Sequence, residues 1–262
     1  MDWPGMADSL YDLDFSILYP LVVALSVGST VLGAWLGNRA QRRGSKAEDL
    51  GMLAGSALGL LALLLAFSFS LALSRFDTRR SMVLHEANAI GSTANFALML
   101  PEPARQPIFD LLREYTAVRT GLGRPYDVAK LEQDVARSVA LQGRLWQIAV
   151  EVTAASPQSL PVYRFVGSLN EMNNVHESRI TAIRYRIPGE VMVMLFGVAM
   201  MAMALTGFHS GVRGARRPVA TVLMAMTVGV VMTLVADLDR PARGFIKVPV
   251  QPLIDAASGM PR

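Results

Sequence analysis

An uncharged apolar run of membrane-spanning length constrains this chain more than any other feature. The run extends from Gly51 to Leu73 and contains no Asp, Glu, Lys or Arg. A transmembrane α-helix needs about 20 mostly apolar residues at 1.5 Å per residue. A charge at its centre would cost roughly 2.5–3.5 kcal/mol on insertion scales, so the absence of charge is informative. The sequence therefore predicts a membrane protein.

Three further runs have the same character, so we predict four membrane spans. They are approximately Phe15–Leu36, Val191–Phe208 and Val219–Ala236. The whole chain is 52% hydrophobic and 18% charged, below the roughly 25% charged residues of soluble domains. The shortage of charged residues is concentrated in the four apolar runs. Because the N-terminal tail lacks the basic residues that begin a signal peptide, we interpret the first run as a retained span.

Glycines recur at four-residue spacing in the first two runs. Gly33 and Gly37 lie at the end of the first, and Gly51, Gly55 and Gly59 lie in the second. This spacing allows helix backbones to approach closely in lipid. Chance recurrence in a chain with 21 glycines is an equal alternative.

A more polar segment of over a hundred residues separates the second and third spans, and its apolar residues recur with helical periodicity. The predicted helices cover about 87–100, 104–118, 128–154 and 160–187. Buried faces are predicted at Ile108, Leu111, Leu112 and Tyr115 in the second of these, and at Leu131, Val135, Val139, Leu145 and Ile148 in the third. No alternating strand pattern competes. The predicted fold is an all-α membrane protein with a helical-bundle insert between its second and third transmembrane helices.

The domain organisation follows from these spans. We expect an N-terminal tail, first span and basic loop at 1–50, the second span at 51–74, the helical extramembrane domain at 75–187, the third and fourth spans at 188–238, and a C-terminal tail at 239–262. The orientation stays open, because the distribution of Lys and Arg around the spans supports both directions equally.

Charged residues cluster where the fourth span ends. A carboxylate near the membrane is costly unless it is paired, and several Arg residues precede the third span on the same side. We predict that Arg residues neutralise the Asp pair and so hold the insert to the last span. The predicted ion pairs involve Asp237, Asp239, Arg240 and Arg243 with Arg179, Arg184 and Arg186.

Two similar pairs, His85–Glu86 and His176–Glu177, lie early and late in the insert. Neither forms the H-E-x-x-H pattern of zinc proteases. We expect hydrogen-bonded polar groups at a helix interface rather than a metal site, and no cofactor. The chain has no Cys, no nucleophile elbow and no phosphate-binding glycine loop, so no enzyme is indicated. Its Arg residues flank apolar runs instead of forming a basic stripe, so no nucleic-acid partner is expected.

Three segments resemble the bacterial bestrophin-like family of membrane proteins. They are LLAFSFSLALSRFDTRRSMVLHEANAIG, LNEMNNVHESRITAIRYRIP and DLDRPARGFIKVPVQPLID. This family is similar to the bestrophins, which are pentameric anion channels with four spans per subunit and a helical cytosolic body. The resemblance implies a multi-pass protein of the bacterial inner (plasma) membrane. Its expected partners are the lipid bilayer, further copies of itself in a pentamer, and small anions such as chloride.

The resemblance also implies which residues line a pore. In bestrophins the second span ends in an Arg followed by an aromatic residue, which Arg75 and Phe76 match. Apolar neck residues lie eight, twelve and sixteen positions earlier, at Phe67, Leu63 and Gly59. Gly59 departs from the bulky pattern, and the acidic calcium clasp of animal bestrophins has no match.

Two functions follow as expectations. In the first, the chain is an oligomeric channel in which Arg75, Arg79 and Arg80 supply positive charge at the pore mouth. In the second, the chain is a non-conducting membrane sensor or scaffold whose helical insert binds a partner or ligand. The same Arg residues would then be interfacial anchors.

Overall fold

Helices account for every regular element in the described part of the chain, which comprises residues 15–43, 50–122, 128–214, 218–240 and 245–261 of a computed structural model. The helices are α1 (Phe15–Gln41), α2 (Leu50–Ala97), α3 (Glu102–Gly121), α4 (Val128–Ala155), α5 (Leu160–Arg184), α6 (Gly189–Val212), α7 (Pro218–Asp239) and α8 (Gln251–Ser258). Four helical stretches are long and apolar enough to cross a membrane. They contain α1, the first half of α2, α6 and α7. The all-helical class and the four candidate spans are thereby confirmed.

Prolines set several helix starts. Pro103 and Pro161 lie in the first turns of α3 and α5, and α6 begins directly after Pro188. Proline suits a first turn because its fixed φ is helical and because the N–H it lacks would have no partner there. The four helices predicted for the insert are confirmed, and the first of them continues the second span as one helix of 48 residues.

The chain divides into two compact units. The first, the apolar unit, comprises Met1–Arg75, Arg186–Arg240 and Gly244–Ile246. In it α1 packs along α6 and α7. Small residues make the contact between α1 and α6 close. A Cβ added to Gly33 or Gly37 of α1, or to Gly207 or Gly211 of α6, would overlap a backbone carbonyl of the facing helix. Close approach is thus confirmed for the α1 glycines, whereas Gly55 and Gly59 meet open space.

The second unit, the helical body, comprises Phe76–Tyr185, Pro241–Arg243 and Lys247–Arg262. One apolar core joins the second half of α2 to α3, α4, α5 and α8. Ile108, Leu111, Leu112 and Tyr115 are buried, as predicted. On α4, however, Val139 is exposed and Leu141 takes a core position instead.

Helix α8 was missed by sequence reasoning, which described residues 239–262 only as a tail. The helix packs against α3. Leu253, and Met260 just beyond the helix, enter the core. Arg113 of α3 donates a hydrogen bond to the carbonyl oxygen of Pro261.

Candidate functional site

The predicted neck residues lie on one exposed stripe of α2. Leu63 is 52% exposed, Phe67 is 66% exposed, and Gly59 has open space around it. Steps of four residues keep side chains on one helix face, and the stripe from Gly59 to Phe67 rises about 12 Å at 1.5 Å per residue. In this unit the stripe is a continuous surface available to lipid or to another protein chain.

The opposite face of α2 is turned towards its own unit. Leu61, Leu65 and Ala72 are buried. An apolar groove of about 540 Å³ lies between this face and α7, with Leu58, Leu61 and Leu65 on one side and Val228 and Val231 on the other. The helix therefore has two distinct faces, although both are apolar.

The three predicted pore-mouth cations are not equivalent. Arg80 is exposed and Arg75 is half-buried, whereas Arg79 is only 3% exposed. A buried guanidinium acts on an ion through its field and not by direct contact. The Arg79 side chain is therefore shielded from solvent on this protomer, and its role at a pore mouth stays a prediction.

The Asp pair at the end of α7 binds backbone N–H groups, which sequence reasoning did not anticipate. Asp239 accepts hydrogen bonds from the backbone N–H of Ile187, at 2.9 and 3.2 Å. Asp237 accepts from the backbone N–H groups of Phe245 and Ile246, at 2.7 and 3.0 Å. The carboxylates thus tie the end of α7 to the segment before α6 and to the segment that follows α7.

The ion-pair prediction needs one correction. Arg179 had been assigned to the Asp pair, but its Nη1 donates to the buried Oε2 of Glu86. Pairing of Arg186 and Arg240 with the Asp residues stays a prediction, and Arg243 lies outside the described residues.

Glu86 is the centre of a buried polar cluster in the helical body. Its Oε1 accepts from Arg119 Nε at 2.5 Å and from the Tyr115 hydroxyl at 3.1 Å, and its Oε2 accepts from Arg179. The Tyr115 hydroxyl also lies 3.2 Å from His176 Nδ1. Gln142 of α4 donates to the same hydroxyl at 3.4 Å. The cluster therefore joins four helices, α2, α3, α4 and α5.

Burial and charge determine the protonation of this cluster. Burial alone would raise the pKa of Glu86, but the guanidinium groups of Arg119 and Arg179 outweigh it and hold that pKa below its usual value. Burial, together with Arg119, lowers the pKa of His176 to about 4. Burial and the Glu86 charge raise the pKa of Tyr115. At neutral pH the cluster therefore holds one carboxylate, two guanidinium groups, a neutral imidazole and a neutral phenol.

The interpretation of the two His–Glu pairs as interface polar groups is confirmed for Glu86 and His176, which Tyr115 links. Glu177 is exposed and His85 lies on the surface. Within the described ranges no group of three or more His, Asp or Glu residues is placed to hold a metal ion.

Comparison with known proteins agrees with this architecture. The bestrophin-like domain family matches residues 19–253. Two crystal structures of point variants of a bacterial bestrophin homologue from Klebsiella pneumoniae share the fold. One has a TM-score of 0.70 at 14% sequence identity, and the match covers 92% of this chain and 97% of that chain. The other has a TM-score of 0.67 at 14% sequence identity, and the match covers 90% of this chain and 98% of that chain. A structure described as a membrane protein variant gives 0.68 at 15% identity, over 91% and 98%. No curated protein matches the chain.

A helical protein with four apolar, membrane-length helices and this fold is an integral membrane protein of the bestrophin type. The chain belongs to the bestrophin-like domain family, whose match covers most of its length.

Proposed function

We propose that the chain forms a ring-shaped homo-oligomeric channel for chloride or other small anions, with α2 of every copy lining a central pore. The observation that carries this proposal is the exposed stripe of Gly59, Leu63 and Phe67. These are the residues that the family resemblance assigns to the neck, and they face away from their own unit. A pentamer is the expected assembly by the same resemblance.

The side chains of the stripe suit an apolar neck. Leu63 and Phe67 offer no hydrogen bond to water, so a narrow ring of them would gate by dewetting. The Phe67 ring carries partial positive charge on its edge and could present that edge to a passing anion. Gly59 widens one end, since it has no side chain to narrow the passage.

Positive charge near the end of the same span supports anions over cations. Arg80 is exposed and Arg75 is half-buried, and repeating them around a ring would concentrate their field at one mouth of the pore. Arg79 would contribute only through the protein. We assign transport rather than catalysis, because the family resembles the bestrophins, which are channels.

The remaining parts have supporting roles in this proposal. The protein would be a multi-pass component of the bacterial inner membrane, with residues 75–187 as a helical domain inserted outside the bilayer and residues 1–50, 51–74, 188–238 and 239–262 as the flanking parts. The Asp237 and Asp239 contacts would fix the end of α7 beside the start of α6. The partners are lipid, further copies of the chain and the transported anion.

Planar-bilayer recording of the purified oligomer tests the proposal. Chloride current is expected, and Phe67→Ala is expected to change its amplitude or gating. Leu73→Ala is a matched control, since Leu73 is exposed on the same helix but rotated about 120° from Phe67. Well-assembled oligomers that never conduct would refute the channel. Equal effects of the two substitutions would refute the assignment of the neck.

A second candidate, a non-conducting sensor, is favoured by one observation. A groove of about 610 Å³ lies on the helical body between α2 and α5, lined by His85, Asn88 and Ser92 and by Arg164 and Glu171. Its mixed polar lining would suit a small charged ligand. The bilayer recording separates the two functions, because a sensor gives no current in any variant.

A further inference from the structure

The buried cluster of the helical body carries more positive than negative charge. Its one carboxylate, Glu86, faces two guanidinium groups, those of Arg119 and Arg179, so the three charges sum to +1. The exposed fractions of the three side chains are 0%, 0% and 5%. His176 is neutral, and the Glu177 carboxylate, 3.9 Å from its Nε2, belongs to a surface residue that is 75% exposed. Water therefore screens this excess charge very little.

Arg119 also has hydrogen-bond donors without acceptors. Its Nε donates to Glu86, but Nη1 and Nη2 are buried and have no hydrogen-bond partner in the described part of the chain. Its guanidinium carbon lies 5.8 Å from the centroid of the Tyr115 ring. That cation–π contact stabilises the charge but accepts no N–H. Buried polar groups in proteins nearly always have a partner.

The carboxylate of Glu86 does not meet this need. Its Oε1 already accepts from Arg119 Nε and Tyr115, and its Oε2 accepts from Arg179. The group that completes Arg119 has to accept hydrogen bonds, fit a space that solvent does not reach, and compensate one positive charge. A water molecule satisfies the first two conditions but not the third.

We propose that Nη1 and Nη2 of Arg119 bind a small inorganic anion of chloride size inside the helical body. The anion accepts the N–H groups that lack a protein acceptor and brings the charge of the cluster to zero. It is held by α3 and by the cluster that joins α3 to α2 and α5, so its binding favours the packed arrangement of these helices. The site is remote in sequence from the α2 stripe and does not depend on whether the protein conducts.

Thermal unfolding of the purified full-length protein in detergent tests the site. The melting temperature is measured in sodium bromide and in sodium gluconate at equal ionic strength, because gluconate is too large to be buried. At a bromide concentration of about ten times the Kd, binding raises the folding equilibrium constant about elevenfold. This corresponds to an increase in the melting temperature on the order of 3 °C or more. Equal melting temperatures in the two salts would overturn the proposal.

Matched substitutions locate the effect. Arg119→Met removes the donors and Arg179→Met removes the excess charge, so both are expected to lose the difference between bromide and gluconate. Arg137→Met is the control, because Arg137 forms an exposed pair with Glu114 on the surface, and it should keep the full difference. A halide effect that survives Arg119→Met would place the anion elsewhere.

Anomalous diffraction from crystals of the wild-type protein grown in bromide decides the question independently of any variant that fails to fold. A bromide peak within hydrogen-bonding reach of Arg119 Nη1 or Nη2 is expected. A water molecule bonded to Arg119 Nη1 and Nη2, with no bromide at that position, would overturn the proposal.

Discussion

Replacement of Glu86 by Gln is expected to be among the most destabilising conservative changes in the helical body. The substitution keeps the size of the side chain but leaves the guanidinium groups of Arg119 and Arg179 without their carboxylate. Removal of one partner from a buried ion pair costs about 3–5 kcal/mol. Since Glu86 serves two cations and has no solvent exposure, the upper part of that range is expected.

A surface pair in the same body provides the control. Glu114 lies 2.8 Å from Arg137, with exposed fractions of 40% and 62%. Exposed pairs typically contribute about 0.2–1 kcal/mol, so Glu114→Gln should cost several-fold less than Glu86→Gln. Arg179→Met should lie between them, because it leaves Glu86 and Arg119 as a balanced pair.

Thermal unfolding followed by Trp fluorescence measures these differences. Trp146 packs against the core of the helical body, and replacement of Trp3 and Trp35 by Phe would make it the single reporter. At about 2–4 °C per kcal/mol, the upper part of that range should lower the midpoint of Glu86→Gln by roughly 8–20 °C. If the Glu86 and Glu114 variants melt within about 2 °C of each other, the account of a tightly coupled buried cluster is wrong.

Three further outcomes are expected. Gly207→Ala should destabilise the protein by about 1–3 kcal/mol, because the added methyl group overlaps the facing backbone. Gly197→Ala in the same helix meets open space and should be neutral or slightly stabilising. The melting temperatures of the two variants are compared. Asp239→Ala should cost about 1–3 kcal/mol because the Ile187 N–H loses its acceptor, and hydrogen exchange at that amide should accelerate. As pH falls from about 6.5 towards 4, unfolded His176 takes up a proton before folded His176 does. The free energy of unfolding should therefore fall by up to about 1.4 kcal/mol per pH unit, with a shallower pH dependence in His176→Gln. Equal pH dependence of the wild type and the variant between about pH 5 and 7 would contradict this.

Local patterns were sufficient to predict most helices. Spans were identified by length and by the absence of charge, since charge in lipid is costly. The predicted start of α5 at Leu160 agrees with the structure, and the buried face of α3 followed from helical periodicity. These features depend on residues within a few turns of one another.

Contacts between distant residues were not predicted. Glu86 is 33 residues from Arg119 and 93 from Arg179, and no local spacing marks such a set. For the same reason Arg179 was assigned to the Asp pair, which is near it in the predicted topology. The two His–Glu pairs gave a partial signal, because two of their members do converge on Tyr115.

The candidate pore stripe was predictable as a helix face but not as an interface. Four-residue spacing places Gly59, Leu63 and Phe67 together on any helix, and their exposure agrees with that. What covers the stripe in the membrane is determined by other molecules, either lipid or further copies of the chain, and so its role in a pore stays a prediction.

An experimental structure of the purified oligomer in a lipid nanodisc tests the channel most directly. The quantity to measure is the position of Phe67 relative to the symmetry axis of the particle. We predict that Phe67 and Leu63 of every copy surround a central opening, with Leu73 turned away from it. Phe67 side chains that contact lipid on the outside of the particle, far from the axis, would contradict the proposed pore.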